Sequence, residues 1–290
     1  ARNVLAARVN NEVVDAFRTL PETCNLSLLT WNDVEGKSTM WHSSAHLMAE
    51  AVETMIPGVK FWVGPPVENG FYYDIDLDHM LTDEDMDKIE KRMRELIKTQ
   101  YDVVKKVGSW QDAYDAFKAR GEEYKLEILE RDIPKDATPA LYHHEEYVDM
   151  CRGPHVPNMR FCEHFKLMRI SGAYWRGDEK RKQLTRVYGI SFPKQKMLTE
   201  YLELLEEAKK RDHRKLGREL ELFTFSQRVG AGLPLWLPKG AALRSRLEDF
   251  LKVAQKKAGY EMVMTPHIGQ KELYVTSGHY EKYGEDSFQA

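Results

Sequence analysis

Two rhythms of polar and apolar positions run along this chain, and each change of rhythm marks an element. Residues 4–9 and 13–17 read as strands on either side of Asn10-Asn11, a pair that tolerates the positive φ angles of a tight hairpin. Residues 26–29 supply a third strand. Ala45, Met48, Ala49, Val52 and Ile56 then recur at three- and four-residue spacing, which predicts a helix with His42 and His46 near its start. Residues 60–63 read as a strand ending at Gly64-Pro65-Pro66. Residues 71–77 alternate as a half-buried strand should, after a turn at Glu68-Asn69-Gly70. Thr82 is placed to cap a helix whose core stripe is Met86, Ile89, Met93 and Leu96, with Asp83, Glu84 and Asp85 at its positive end.

Helical patterns follow over 109–119 and 122–129, and strands over 141–148 and 161–170 flank a turn at Cys151. With a further strand at 184–188, this predicts an α+β domain: an antiparallel sheet with packed helices on one side. From 193 to about 221 the pattern is helical, with Met197, Tyr201, Leu204 and Ala208 on one stripe. Residues 240–259 predict an amphipathic helix using Leu243, Leu247, Phe250, Leu251 and Ala254, and 260–266 a strand ending at proline.

Composition narrows the class without naming a chemistry. Hydrophobic residues make up 42% and charged residues 31%, enough apolar content for a proper core. No run of eighteen apolar residues occurs, so no membrane helix is expected. Three cysteines form no disulfide framework and fit a reducing cytoplasm. The first residues, Ala1-Arg2-Asn3-Val4, carry neither an initiating Met nor the apolar core of a secretory signal, so the chain reads as a piece of a longer one. The net charge of −3 decides nothing, but residues 209–218 hold six basic groups against one acid. That stretch is a solvated helix face or a strip that tracks phosphates.

The chemistry concentrates in two places. His42-Ser43-Ser44-Ala45-His46 is an H-x3-H pair, and residues four apart on a helix share a face. About a hundred residues later, Cys151-Arg152-Gly153-Pro154-His155 gives C-x3-H, where Gly153 and Pro154 rule out a regular helix and require a turn. Alone, H-x3-H is equally a satisfied surface or core pair; the two halves together are a constellation that a core does not need. Such a set can bind zinc, or its imidazoles can hold a water and exchange protons near neutral pH.

These residues, with Asn69-Gly70-Phe71-Tyr72-Tyr73-Asp74, the run from His144 to Pro157 and Gly172-Ala173-Tyr174-Trp175-Arg176-Gly177-Asp178, resemble the bacterial threonyl-tRNA synthetase family over the whole chain. The resemblance implies part of a small ubiquitin-like (TGS) domain at 1–30, an editing domain at 31–193, a linker helix at 194–211, and from 212 to 290 the start of a class II catalytic domain whose first motif builds a homodimer. It implies tRNA(Thr) as partner and hydrolysis of mischarged seryl-tRNA as the activity. ATP, Mg and the synthetic-site zinc would belong to motifs beyond Ala290, so ligation of threonine is not expected from this chain.

An editing site has a physical rationale. Serine keeps threonine's hydroxyl and lacks one methyl, a difference worth about 1–3 kcal/mol or roughly 10–200-fold in a pocket, so a second, hydrolytic site must supply the rest. On the resemblance, His42 and His155 orient or deprotonate the water, and His46 helps bind the terminal ribose or ester. Asp149 pairs with the substrate α-ammonium, Lys125 stabilises the carbonyl oxygen, and Tyr73 and Arg152 contact substrate. Cys151 makes a polar contact, since an ester needs no covalent step. Replacing His42 or Asp149 by Ala is expected to abolish deacylation with little change in melting temperature. No metal is expected, because the threonyl enzymes are understood to edit without one; the same spacing binds zinc in related alanyl-tRNA editing proteins, where His42, His46, Cys151 and His155 would be the ligands. The alternatives are a zinc-dependent trans-editing hydrolase and a non-catalytic tRNA-binding or dimerising fragment.

Overall fold

A computed structural model describes residues 3–79, 81–145 and 147–284. Glu146, part of the motif quoted above, and residues 285–290, the end of the expected class II segment, lie outside the described residues. The chain divides into two compact units, residues 1–205 and 206–290.

The first unit opens with strands β1 (Ala6–Val9), β2 (Glu12–Asp15) and β3 (Leu26–Leu29), paired antiparallel in the order β2-β1-β3. Asn10 and Asn11 take φ of 49° and 73° in a two-residue loop closed by Val9 opposite Glu12, the hairpin their side chains predicted. Helix α1 (Val34–Met55) begins eight residues before His42, so the histidines stand in its middle rather than at its start. Its residues from Met40 to Val52 are buried with only His42 less so, which is why the one-sided stripe understated it. Two buried serines fit inside this helix because each hydroxyl bonds back one turn: Ser43 to the Thr39 carbonyl (3.0 Å) and Ser44 to that of Met40 (2.9 Å).

The main sheet packs against α1. It runs β10-β11-β6-β4, antiparallel throughout, from β4 (Lys60–Phe61), β6 (Gly70–Asp76), β10 (His164–Tyr174) and β11 (Gln183–Phe192), with β5 (Pro66–Val67) hairpinned onto β6. Gly64 is required here, since a side chain at that position would collide with the Tyr73 ring. Helix α2 (Asp83–Thr99) starts with the expected cap, a reciprocal box between Thr82 and Asp85, and buries Met86, Ile89, Met93 and Leu96. A second sheet, β7-β8-β9, comprises β7 (Val104–Val107), β8 (Ala140–His144) and β9 (Tyr147–Met150). Between β7 and β8 lie α3 (Trp110–Arg120) and α4 (Glu123–Asp132). Mixed helices and antiparallel sheets bear out the α+β expectation.

Several boundaries differ. The single strand expected over 141–148 is a hairpin, turned at Glu145 with φ 48°; no Gly, Pro, Asn or Asp marks the turn in Leu141-Tyr142-His143-His144-Glu145. Phe161 belongs to a short helical turn, Met159–Cys162, ahead of β10. The helix expected from 193 to 221 breaks in two, α5 (Gln195–Lys210) and α6 (His213–Glu219), because Asp212 accepts from the Arg214 amide and caps a new start.

In the second unit, β12 (Phe223–Thr224) pairs with β13 (Leu235–Trp236), and α7 (Pro238–Lys257) starts two residues before the expected 240, with a proline at its first position. The strand expected over 260–266 is absent: these residues have no ladder partner among the described residues, and a strand exists only by pairing. Leu243, Leu247, Phe250 and Leu251, the expected buried stripe of α7, are exposed. Short helices α8 (Lys271–Thr276) and α9 (His279–Tyr283) follow. No described helix is long and apolar enough to cross a membrane.

The packing of α2 is testable. Met93 is fully buried, so Met93→Ala is expected to destabilise the first unit by about 2–5 kcal/mol through lost transfer energy plus a cavity. Thr82→Ala, losing only a cap, should cost about 1 kcal/mol. Urea unfolding of both variants checks the ranking; equal losses would contradict it.

Candidate functional site

The two histidine segments converge. One ligand atom each from His42, His46, Cys151 and His155 can be chosen so that all four lie within 4.8 Å of one another. Helix α1 carries the first two, one turn apart. The other two come from the loop after β9, where Gly153 adopts φ +66° and lies so close to the Tyr142 hydroxyl that any side chain would collide. Ring centroids separate His42 from His155, and His46 from His155, by 4.2 Å. His46 and His155 are buried, while His42 and Cys151 keep partial exposure.

Asp149, on β9 and only 2% exposed, is the hub beneath this cluster. Its carboxylate accepts from Lys125 and the Tyr73 hydroxyl at short range, from Tyr147 hydroxyl and His46 Nε2 at 3.2 Å, and from the Met150 amide at 2.7 Å. Lys125, on α4, also donates to Tyr73 (3.1 Å). An ammonium has three N–H donors, so one stays uncommitted among the described residues.

The network assigns the tautomers. His46 Nε2 faces a carboxylate, so it carries the proton, and Nδ1 accepts from His144 Nε2 at 3.3 Å. Both nitrogens of His46 are therefore engaged, and His144 Nδ1 is left a buried acceptor with no partner among the described residues. His155 Nδ1 lies 3.0 Å from Ser43 Oγ, whose own proton serves the Thr39 carbonyl and which accepts from the Val156 amide. With Nδ1–H as donor every group is satisfied, and the bare Nε2 of His155 faces the Cys151 thiol at 3.1 Å. No side chain among the described residues hydrogen-bonds the ring of His42, so as a neutral imidazole it keeps one nitrogen bare. The cluster thus gathers one unengaged lone pair, on His42, and one on His155 that accepts from the Cys151 thiol.

Burial sets the charge states. It lowers His42 to about 4, with Asp149 opposing, and His144 to about 3. Burial, with the neighbouring rings, also holds His46 and His155 well below the ordinary imidazole value. It pushes the Cys151 thiol far up, so the sulfur stays protonated. Tyr73 and Tyr147 are likewise held as phenols by burial and by Asp149.

Of the residues singled out from sequence, His42, His46, Tyr73, Lys125, Asp149, Cys151 and His155 come together, and Arg152 does not. Arg152 is exposed, and its side chain makes no hydrogen bond or ion pair among the described residues. The geometry bears on two expected roles. Asp149 already accepts from five donors, with which a substrate ammonium would compete. Asp149→Ala is not expected to spare stability: it strands the buried Lys125 charge, a loss of about 3–5 kcal/mol. His46 in turn has no free nitrogen for ribose or ester. Sequence reasoning missed Ser43, His144, Tyr147 and, farther away, Asp15. The first three sit inside motifs already quoted, but Asp15 had no local signal.

Comparison with known proteins places these observations. Residues 140–188 match the threonyl and alanyl tRNA synthetase second additional domain. The chain is similar to the threonine--tRNA ligase of Cytophaga hutchinsonii, 58% identical over 99% of this chain and 44% of the relative. That of Flavobacterium psychrophilum is 57% identical over 100% and 44%, and that of Porphyromonas gingivalis 56% over 99% and 44%. The chain therefore spans about 44% of the length of the curated relatives it matches.

The buried neutral rings make stability pH-dependent. The unfolded chain takes up protons near pH 6.5, whereas folded His42 resists until about 4 and His144 until about 3. Stability is therefore lost as pH falls below about 6.5, by up to about 1.4 kcal/mol per pH unit for each such ring. Glu50, raised by burial to about 8, and Glu122, also raised by burial, work the other way, but they are two groups against the five rings of His42, His46, His143, His144 and His155. Urea midpoints should drop from pH 6.5 to 5.0; a flat profile would mean the rings are charged or exposed.

Proposed function

We propose, on the premise that this chain aligns end to end with threonine--tRNA ligases and carries their second additional domain at 140–188, that the His42–His155 cleft hydrolyses seryl esters of tRNA(Thr). The observation that carries this reading is the pair of bare imidazole nitrogens converging from two distant segments. A water held between them, in place of the Cys151 thiol at His155 Nε2, is oriented by both. One ring takes its proton as the water attacks the ester carbonyl and returns it to the ribose oxygen as the ester C–O bond breaks. Imidazoles neutral at pH 7 can accept that proton. Lys125, with one N–H uncommitted, stabilises the oxygen as it gains charge. Asp149 fixes Lys125 and His46, and His46 closes the cluster from below. Cys151, a thiol at neutral pH, lends a polar contact rather than a nucleophile. Ligation of threonine with ATP, binding of tRNA(Thr) and dimerisation are proposals for the longer relatives' whole length.

A second reading has its own observation. Cysteine and three histidines with ligand atoms inside 4.8 Å suit zinc, whose bonds of about 2.0–2.3 Å would draw them slightly closer. His46 would then surrender its bond to Asp149 or His144. Bound zinc would supply an activated water where one of the four side chains left a position open, since four protein ligands close a tetrahedral site.

Deacylation assays with seryl- and threonyl-tRNA(Thr) separate the readings. His155→Ala and His42→Ala should each lower serine release by about 100-fold or more while threonine release stays negligible in all forms. Wild-type rates in either variant would remove the proposal. Activity that vanishes on chelation and returns with zinc, at one metal per chain, would establish the zinc hydrolase instead.

A further inference from the structure

Asp15 is a buried carboxylate that the chemistry above does not use. It ends β2 in the N-terminal three-stranded sheet, is 3% exposed, and lies 127 to 140 residues before its main partners. Both oxygens accept from the Tyr142 hydroxyl, at 3.1 and 3.0 Å. Oδ1 also accepts the backbone N–H of His155 at 2.9 Å, and Oδ2 the ammonium of Lys105 at 3.0 Å.

His155 needs such a hold. Residues 151–156 have no regular secondary structure, so no ladder fixes them. The ring is set by Ser43 on Nδ1 and by the Tyr142 face, 4.4 Å away between centroids. The backbone is set by Asp15, which grips Tyr142 as well. Asp15 thus determines where the bare Nε2 of His155 points, by one direct bond and one relayed through an aromatic ring.

We infer that Asp15 is a positioning residue for the hydrolytic site, so that the N-terminal strands are part of that site's machinery. This rests on the reading of the His42–His155 cleft as an ester hydrolase. Loss of the carboxylate leaves His155 present and neutral but misaimed, and misplacement near 1 Å costs about 100-fold in rate.

The test uses the whole chain and two variants, Asp15→Asn and Tyr142→Phe. Steady-state deacylation of seryl-tRNA(Thr) should show kcat lower by about 10- to 100-fold in Asp15→Asn and by a smaller factor in Tyr142→Phe, with KM within about twofold. The nitrogen-15 resonances of the His155 ring should shift in both. Wild-type kcat in a folded Asp15→Asn chain overturns the inference, as does a loss recovered on cooling below its melting transition. If Asp15→Asn does not fold, Tyr142→Phe decides: unmoved ring resonances overturn the inference and shifted ones support it. If the wild-type chain releases no serine, the ester-hydrolase reading fails, and the ring resonances alone judge the positioning.

Discussion

A carboxylate removed from water must be satisfied by the protein, and Asp149 is satisfied five times over. Desolvating one such charge costs several kcal/mol, and the donors that offset it come from β6, α4, α1, β9 and the backbone. Tyr73, Lys125, His46 and Tyr147 are therefore held in one relative geometry. The central helix cannot rotate, nor the hairpin slide, without uncovering that charge. Everything above it inherits the constraint: His46 is locked, so His155 and His42 lean against a fixed wall.

The same desolvation decides the reactivity of the cluster. Imidazoles kept neutral by burial are acceptors at the pH of a cell, and a thiol kept protonated is a donor. A more open pocket with the same residues would hold charged rings at mildly acid pH and a more reactive sulfur. In the proposed hydrolysis, the choice of water over cysteine as the attacking group follows from this environment. So does the need for aim: a base that stays neutral until it takes the proton contributes through placement, which makes the holds on His155 matter as much as His155 itself.

The elements were readable wherever a local rule governs them. Asn10-Asn11 required a hairpin, Thr82 and Asp85 a capped helix, and Met86, Ile89, Met93 and Leu96 a buried stripe. Where context governs, the pattern failed. The helix of His42 starts at Val34, eight residues ahead of that histidine, because Val34-Glu35-Gly36-Lys37-Ser38 carries no apolar stripe of its own. The turn at Glu145 lies within aromatic and acidic text, and residues 260–266, with every mark of a strand, have no strand to pair with.

The sequence by itself determined which side chains carry the chemistry. H-x3-H must share a helix face, and a loop with Gly153 and Pro154 must present Cys151 and His155 from a turn; both follow from local geometry. The tertiary structure alone decided what each one does. Whether a histidine nitrogen is a donor, an acceptor or free depends on the atom opposite it, and those atoms come from Ser43, His144 and Asp149, up to 112 residues distant. No local pattern encodes such a partner, because hydrogen bonds across a fold are set by how its layers pack.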